Sequence, residues 1–316
     1  EFADELDTLG VRVANLEKKA DNVKITGEVR YHYAENDAKA FADKNTFETK
    51  LRSRIWVNGQ INDDWTYTGM LQNEQNLGND NGDEGVDFQR AYLNGKLGGL
   101  KVQAGRYNLK VAEGNVYDNR FDGIQASYGK DIKLTAGYGD ADPGNDKGSK
   151  AEDVYYAELS GKVGSFDLMG GYYAFTKEGV TSDVDTDIWA VGANYAFDKN
   201  FKLGAMYLNG DKDGYKGEDD GFVVTAKYKG AKASQVGSWG LEAKYYDQGR
   251  STYVDHTMDG LADSYTDKWD GFEGYSVAAD YTLAKNIVAK VQYFDLEAKK
   301  GQADAETIWS QVVFTF

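Results

Sequence analysis

The sequence has no cysteine and one proline, Pro143. Without cysteine there is no disulfide framework, no thiolate nucleophile and no Cys-ligated zinc. At average usage a chain of this length would hold roughly 15 prolines. Proline removes a backbone donor and breaks sheet ladders, so its near-absence favours sheet through most of the chain. Histidine is almost as scarce: His32 and His256 are far apart, and neither a Ser-His-Asp nor a metal-His spacing can be read. We therefore expect no enzyme, no catalytic residue and no metal centre. No stretch of about 20 apolar residues occurs, which excludes membrane-spanning helices. Lys and Arg number 36 against 52 Asp and Glu, a formal charge of −16, so a nucleic-acid partner is not expected. What the chain does have is 23 Tyr, 14 Phe, 6 Trp and 37 Gly, a composition too aromatic for disorder. The opening EFADELDTLG shows no secretory leader, and we read the chain as mature or truncated.

Two periodicities divide the chain. In residues 1–22, Phe2, Leu6, Leu9, Val13, Leu16 and Ala20 lead to Val23 at alternating spacings of four and three. That is an a/d heptad seam, and it predicts a short coiled-coil stalk, the C-terminal end of a longer one. An amphipathic helix packed on its own domain is the plainer alternative. A coil this short is marginal alone and needs a neighbouring oligomer.

From Val23 onward the period is two. In VKITGEVRYHY, Val23, Ile25, Gly27, Val29, Tyr31 and Tyr33 share one face, and Lys24, Thr26, Glu28, Arg30 and His32 the other. TFETKLRSRIWVNGQI repeats the pattern, with Lys50, Arg52 and Arg54 on the polar face. About sixteen such segments can be marked, joined alternately by tight turns and by long loops rich in Asp, Asn, Gly and Lys. Long strands with one apolar and one polar face, an even strand number, and short turns at one rim only are the pattern of an outer-membrane barrel. Residues 23–316 are thus expected to form an all-β, antiparallel transmembrane barrel, preceded by the helical segment. Trp65 and Tyr67, Tyr172 and Tyr173, Tyr195 and Phe197, Phe201, Trp239, Tyr245 and Tyr246 lie near strand ends and suggest interfacial girdles. A soluble solenoid or lectin-like barrel would not explain the polar inner face.

The last segment, ETIWSQVVFTF, puts Phe314 and Phe316 on one face and ends on an aromatic. It resembles the C-terminal signal of outer-membrane barrels, which implies the barrel-assembly machinery as a partner. QRAYLNGKLGGLKVQAGRYNL is similar to the trimeric general porins, with Gly105-Arg106 closing a strand before a segment that, in those porins, folds into the lumen. Here that segment would be NLKVAEGNVYDN. A coiled coil running directly into the first strand resembles the porins that carry an S-layer homology domain and a periplasmic stalk; that domain is not in this sequence. The resemblance implies a homotrimer in the bacterial outer membrane, in contact with lipid and lipopolysaccharide. It also implies a periplasmic stalk tethered, through an upstream domain, to peptidoglycan or its secondary polymer.

The candidate site is the pore. Arg30, Lys50, Arg52, Arg54 and Arg90 fall on the polar parity, and Arg106 and Arg120 flank the lumen segment. Simple alternation leaves those last two on the apolar parity, and we expect a bulge to turn them inward. Glu113 and Asp118 are expected to face the basic residues across the lumen and set up a transverse field. Trp56, Tyr92 and Phe88 are assigned inward, too few for an aromatic sugar slide. In NGDKDGYKGEDD, Asn209, Asp211, Asp213, Gly214 and Asp220 stand at calcium-loop positions, but the flanks are strands, so calcium at 209–220 is the minor reading beside a solvated hairpin. The function expected is passive diffusion of ions and small hydrophilic solutes. A mainly structural anchor and a substrate-specific channel are the alternatives. The acidic loops lean the mouth toward cations, whereas the arginines favour anions at the narrowest point.

Overall fold

In a computed structural model the protein is described at residues 5, 9, 22–38, 46–78, 85–141, 151–177, 183–258, 269–301 and 303–316. The first eight strands are β1 Val23–Ala38, β2 Thr46–Gln60, β3 Trp65–Asn76, β4 Asp87–Leu97, β5 Leu100–Val111, β6 Tyr117–Gly129, β7 Ile132–Ala141 and β8 Ala151–Val163. The remainder are β9 Phe166–Lys177, β10 Val184–Ala196, β11 Phe201–Lys212, β12 Asp220–Lys229, β13 Trp239–Gly249, β14 Gly271–Ala284, β15 Ile287–Ala298 and β16 Asp304–Thr315. Each pairs antiparallel with the next, and β16 pairs with β1, so the sheet is a closed barrel. The sixteen strands agree with the periodicity of the sequence, and the alternation of short and long connections holds except at 230–238 on the short-turn rim and at 112–116 and 299–303 on the other.

Closure is finished by the last residue. The Gly27 N–H donates to the Phe316 carbonyl at 2.7 Å, and the Phe316 N–H donates to the Gly27 carbonyl at 3.0 Å. A Cβ on Gly27 would lie 2.2 Å from the Phe316 ring, so only glycine lets that ring lie flat against the outside of β1. Phe314, its partner on the apolar face, stands opposite Val29 of β1 and Ile287 of β15.

Side chains alternate as a lipid-facing and a lumen-facing set. Ile25, Ile55, Leu93, Leu134, Leu168, Val191 and Ile308 are exposed, while His32, Tyr156, Ile188 and Trp309 of the opposite parity are buried. The expected girdles form, but not from every residue named. Tyr155, Tyr172 and Trp189 stack in sequence across β8–β10 at one end. Phe166, Tyr195, Phe197 and Phe201 cluster at the other. Tyr173 and Tyr246 are instead fully buried on the lumen side, because neighbours such as Tyr172 and Tyr173 must point to opposite faces. Phe88 also departs from its inward assignment. The β3–β4 ladder slips between Met70 and Leu71, so Phe88 stands opposite Leu71 and is 53% exposed. The extra residue at the bulge flips every side chain beyond it.

Of residues 1–21 only Glu5 and the seam residue Leu9 are described, and Leu9 is exposed. Leu6, Val13, Leu16 and Ala20 lie outside the described residues.

Candidate functional site

β4 pairs with β5 only up to Ala91 opposite Arg106, and β6 pairs with β7 only up to Phe121 opposite Ala141. Beyond those points the β5–β6 ladder runs on by itself, from Tyr107 opposite Phe121 to Val111 opposite Tyr117. Residues 107–121 thus form a hairpin that has left the wall. It bends at Gly105 and Gly123, which stand opposite each other. Gly105 has φ +120°, and a Cβ there would come within 2.4 Å of the Ala91 carbonyl, so the bend needs glycine.

The hairpin lies inside the barrel. Its tip reaches four strands beyond its own neighbours. Ala112 N–H donates to Glu158 of β8 at 3.4 Å. The Tyr117 ring lies 5.8 Å from Phe175 of β9. Asn194 of β10 donates to Glu113 at 2.6 Å. Asn115 donates to the Met206 sulfur of β11 at 3.5 Å. Such contacts can run only across the lumen. One hairpin face, Tyr107, Leu109, Val111, Tyr117 and Phe121, is buried against Tyr156, Tyr173, Phe175 and Ile188 of the wall. The other, with Asn108, Lys110, Asp118 and Arg120, is turned to the open lumen.

This geometry replaces the bulge expected for Arg106 and Arg120. No register shift interrupts β5 and β6. The hairpin folds inward as a unit, so its apolar-parity face becomes its lumen face. Arg120 gains the lumen by that route and acts electrostatically on Arg90. Arg106 does not. It stays at the bend, on the parity of Val102 and Ile124, with Asp122 accepting from Nε at 2.7 Å and from Nη2 at 2.6 Å.

A second inward segment was not legible. The connection 249–270 reads as an exterior loop, yet residues 253–258 strap the hairpin. Val254 N–H donates to the Val116 carbonyl at 2.9 Å, Asp118 N–H to the Asp255 carbonyl at 3.0 Å, and Thr257 N–H to the Gly114 carbonyl at 2.9 Å. Thr257 and Lys110 both donate to the Asp118 carboxylate, at 2.5 and 2.6 Å. The signal in sequence was the number of apolar residues in this loop, Tyr253, Val254, Met258, Leu261, Tyr265 and Trp269.

The basic wall sits where the strand pattern placed it, but its carboxylates are different ones. Arg52 donates to Glu28 at 3.0 Å, and Arg54 stands 4.0 Å from the same group. Lys50 lies 3.1 Å from Glu48 and 3.3 Å from Glu74, and Arg30 lies 3.9 Å from Glu74. Arg54 also donates to Gln72 at 2.7 Å, and Arg90 to Asn108 at 2.6 Å. Glu113 and Asp118 are engaged by Asn194 and by Lys110 and Thr257, so neither is the partner of the cations of β2. The pairing carboxylates Glu28, Glu48 and Glu74 all lie on the polar parity of β1–β3, which was signal enough to find them. Asn209 and Asp220, the ends of the calcium-like spacing, are ladder partners in a hairpin. Among the described residues no three carboxylates or imidazoles gather as a metal site.

The family model of Gram-negative porins matches residues 89–248. The chain belongs to that family. The matched stretch contains the inward hairpin and runs almost to its strap. No curated protein matches the sequence. Among solved structures, this porin superposes on Salmonella typhi OmpF in complex with daunomycin at 13% identity and TM-score 0.59, covering 93% of this chain and 97% of that one. Vibrio cholerae OmpT in its trimer form gives 15% identity and TM-score 0.59, over 94% and 100%. A variant of the Rh. blastica porin gives 16% and 0.58, over 93% and 100%. These likenesses establish the barrel fold.

His256 holds the strap in place. It is fully buried, its Nε2 is 3.1 Å from Gln248 Oε1, and it stands edge-on to Phe272 at 5.6 Å. Burial first, then the positive charges of Lys244 and Lys110, push its pKa down to about 3, against the opposing pull of Asp118. Between roughly pH 6.5 and 3 the undocked strap therefore binds a proton that the docked strap refuses. Docking weakens as pH falls, by about 1.4 kcal/mol per unit. Amide hydrogen exchange at Thr257, corrected for intrinsic rates, should be faster relative to neighbouring strands at pH 4.5 than at pH 7.5, and His256→Gln should remove the difference. An equal pH response in that variant would exclude His256 as its source.

Proposed function

We propose that the barrel is a passive diffusion channel of the outer membrane for ions and small hydrophilic solutes. The observation that carries this reading is the lumen itself: a charged wall on β1–β4 lies on one side, and the hairpin packs its apolar face on β8–β10, so that its polar face borders the passage and meets that wall at Arg90 and Asn108. Sixteen strands enclose room for water beside such an insert. Fold and family point to a channel rather than an enzyme. The paired charges orient dipolar solutes and disfavour apolar ones. Arg30, Lys50, Arg52, Arg54, Arg90 and Arg120 line the constriction in this reading, with Lys110, Glu113 and Asp118 on the hairpin. Arg106 is left out of it.

We further infer a homotrimer, supported by the trimer form of the similar Vibrio cholerae barrel. Residues 1–22 are assigned to a periplasmic stalk, supported by the heptad spacing. The same stalk is the route by which an upstream segment would tether the membrane to the cell wall.

Changing Arg52 and Arg54 to Glu should move the reversal potential in a salt gradient strongly toward cations, each charge counting for roughly a kcal/mol in a constricted, partly desolvated passage. The same change at Lys212 and Lys216, on the 209–220 hairpin, should move it far less, because salt screens exposed charge. Equal shifts at both places would mean that the β2 wall does not line the narrowest point.

Removing residues 1–22 should leave a conducting barrel whose trimer dissociates at a lower temperature on gels. A trimer that melts as before would remove the stalk from the account of assembly.

A further inference from the structure

The β1–β4 wall is not the lumen's only basic surface. Around the tip of the hairpin, Lys202 of β11, Lys227 of β12, Lys244 of β13 and Lys290 of β15 line a recess of about 580 Å³, and Lys110 of the hairpin completes it. All four wall lysines fall on the lumen parity of their strands. With these five lysines, three carboxylates line the recess: Glu113, Asp167 and Glu242. Lys202 stands 3.7 Å from Asp167. Lys290 is the ladder partner of Asp280. Lys227 and Lys244 share the single carboxylate of Glu242, at 2.7 and 3.7 Å. Lys290 acts electrostatically on that same Glu242. Lys110, entering from the hairpin, is taken by Asp118 at 2.6 Å.

Glu242 is therefore a carboxylate shared among several ammonium groups, in a chain whose total charge is −16. Such a surplus in a confined recess is relieved by an anion, and a ligand with two or more negative oxygens relieves it better than a monovalent halide. Three amides line the same recess, Asn194 and, at more buried positions, Asn115 and Gln292. The latter two are almost fully buried, and each has a side-chain carbonyl oxygen without a hydrogen-bond partner. Both oxygens are closed off from solvent, so recognition in the recess rests on the ammonium groups.

We propose that this recess is a binding station for small multivalent oxyanions passing through the channel, of the phosphate or polycarboxylate class. The inference rests on the reading of the barrel as an open diffusion channel. It reverses the leaning toward cations that the acidic loops suggested: anions are gathered at the lysine recess inside, whatever the mouth attracts.

The test is single-channel recording of the full-length protein in potassium chloride, with pyrophosphate or citrate added to one side. Each should reduce the current saturably, and a neutral trisaccharide of similar size should not. Lys227→Gln with Lys244→Gln should raise the half-blocking concentration about tenfold, as the loss of two ligand-facing charges implies. Arg at both positions should restore it. The stronger of the two blockers identifies whether phosphate or carboxylate chemistry is preferred. Equal block by the neutral sugar, or unchanged block in the Gln variant, would overturn the station. A channel that conducts chloride but is not blocked overturns the station alone. A folded barrel that conducts nothing overturns the channel reading beneath it as well.

Discussion

In hydrocarbon a peptide N–H or C=O without a partner costs several kcal/mol, and a sheet that crosses a bilayer cannot have an edge. Every other feature of this protein answers to that constraint. The ladder closes because β16 returns to β1, and the Phe316 main chain completes it against Gly27. With no free edge on the outside, irregular backbone is confined to the rims and to the lumen. The hairpin 107–121 leaves the wall only where the lumen receives it, and its lost wall hydrogen bonds are partly replaced by the strap at 253–258.

The inward turn also inverts the hairpin's faces. In the wall, the parity of Leu100 and Val102 meets lipid. Past Gly105 the same parity meets water, which is why Asn108, Lys110, Asp118 and Arg120 are polar there while Tyr107, Leu109 and Phe121 are not. The chain's excess negative charge lies elsewhere. At the outer strand ends carboxylates stand face to face across the ladder, Asp187 with Asp211, Asp247 with Glu273 and Asp295 with Glu306. Like charges so placed are unfavourable and are offset by water or, at Asp247, by the ammonium of Lys299. The lumen has the opposite sign, with arginines on one wall and lysines on the other.

The barrel was legible because strand parity is a local property, repeated sixteen times, and because Pro was absent where ladders needed donors. The β2 cations were legible for the same reason. What failed was whatever depended on leaving that regularity. A one-residue bulge beside Met70 turned Phe88 outward, and alternation alone gives no sign of it. Arg106 and Arg120 showed the wrong parity, and a bulge was the local explanation; the true cause was a bend of the whole hairpin, which depends on contacts with β8–β11. The partners of Glu113 and Asp118 were missed because Asn194 and Thr257 are brought to them only by the closed fold.

The central claim is that the hairpin rests fixed against the β10 wall and leaves a passage beside it. The chain has no cysteine, so Glu113→Cys with Asn194→Cys places two unique thiols at the tip contact. A short bifunctional thiol reagent should join them in the assembled protein, and the joined channel should conduct as well as the unjoined one. Two reactive thiols that do not cross-link, or a cross-link that abolishes the current, would contradict this account.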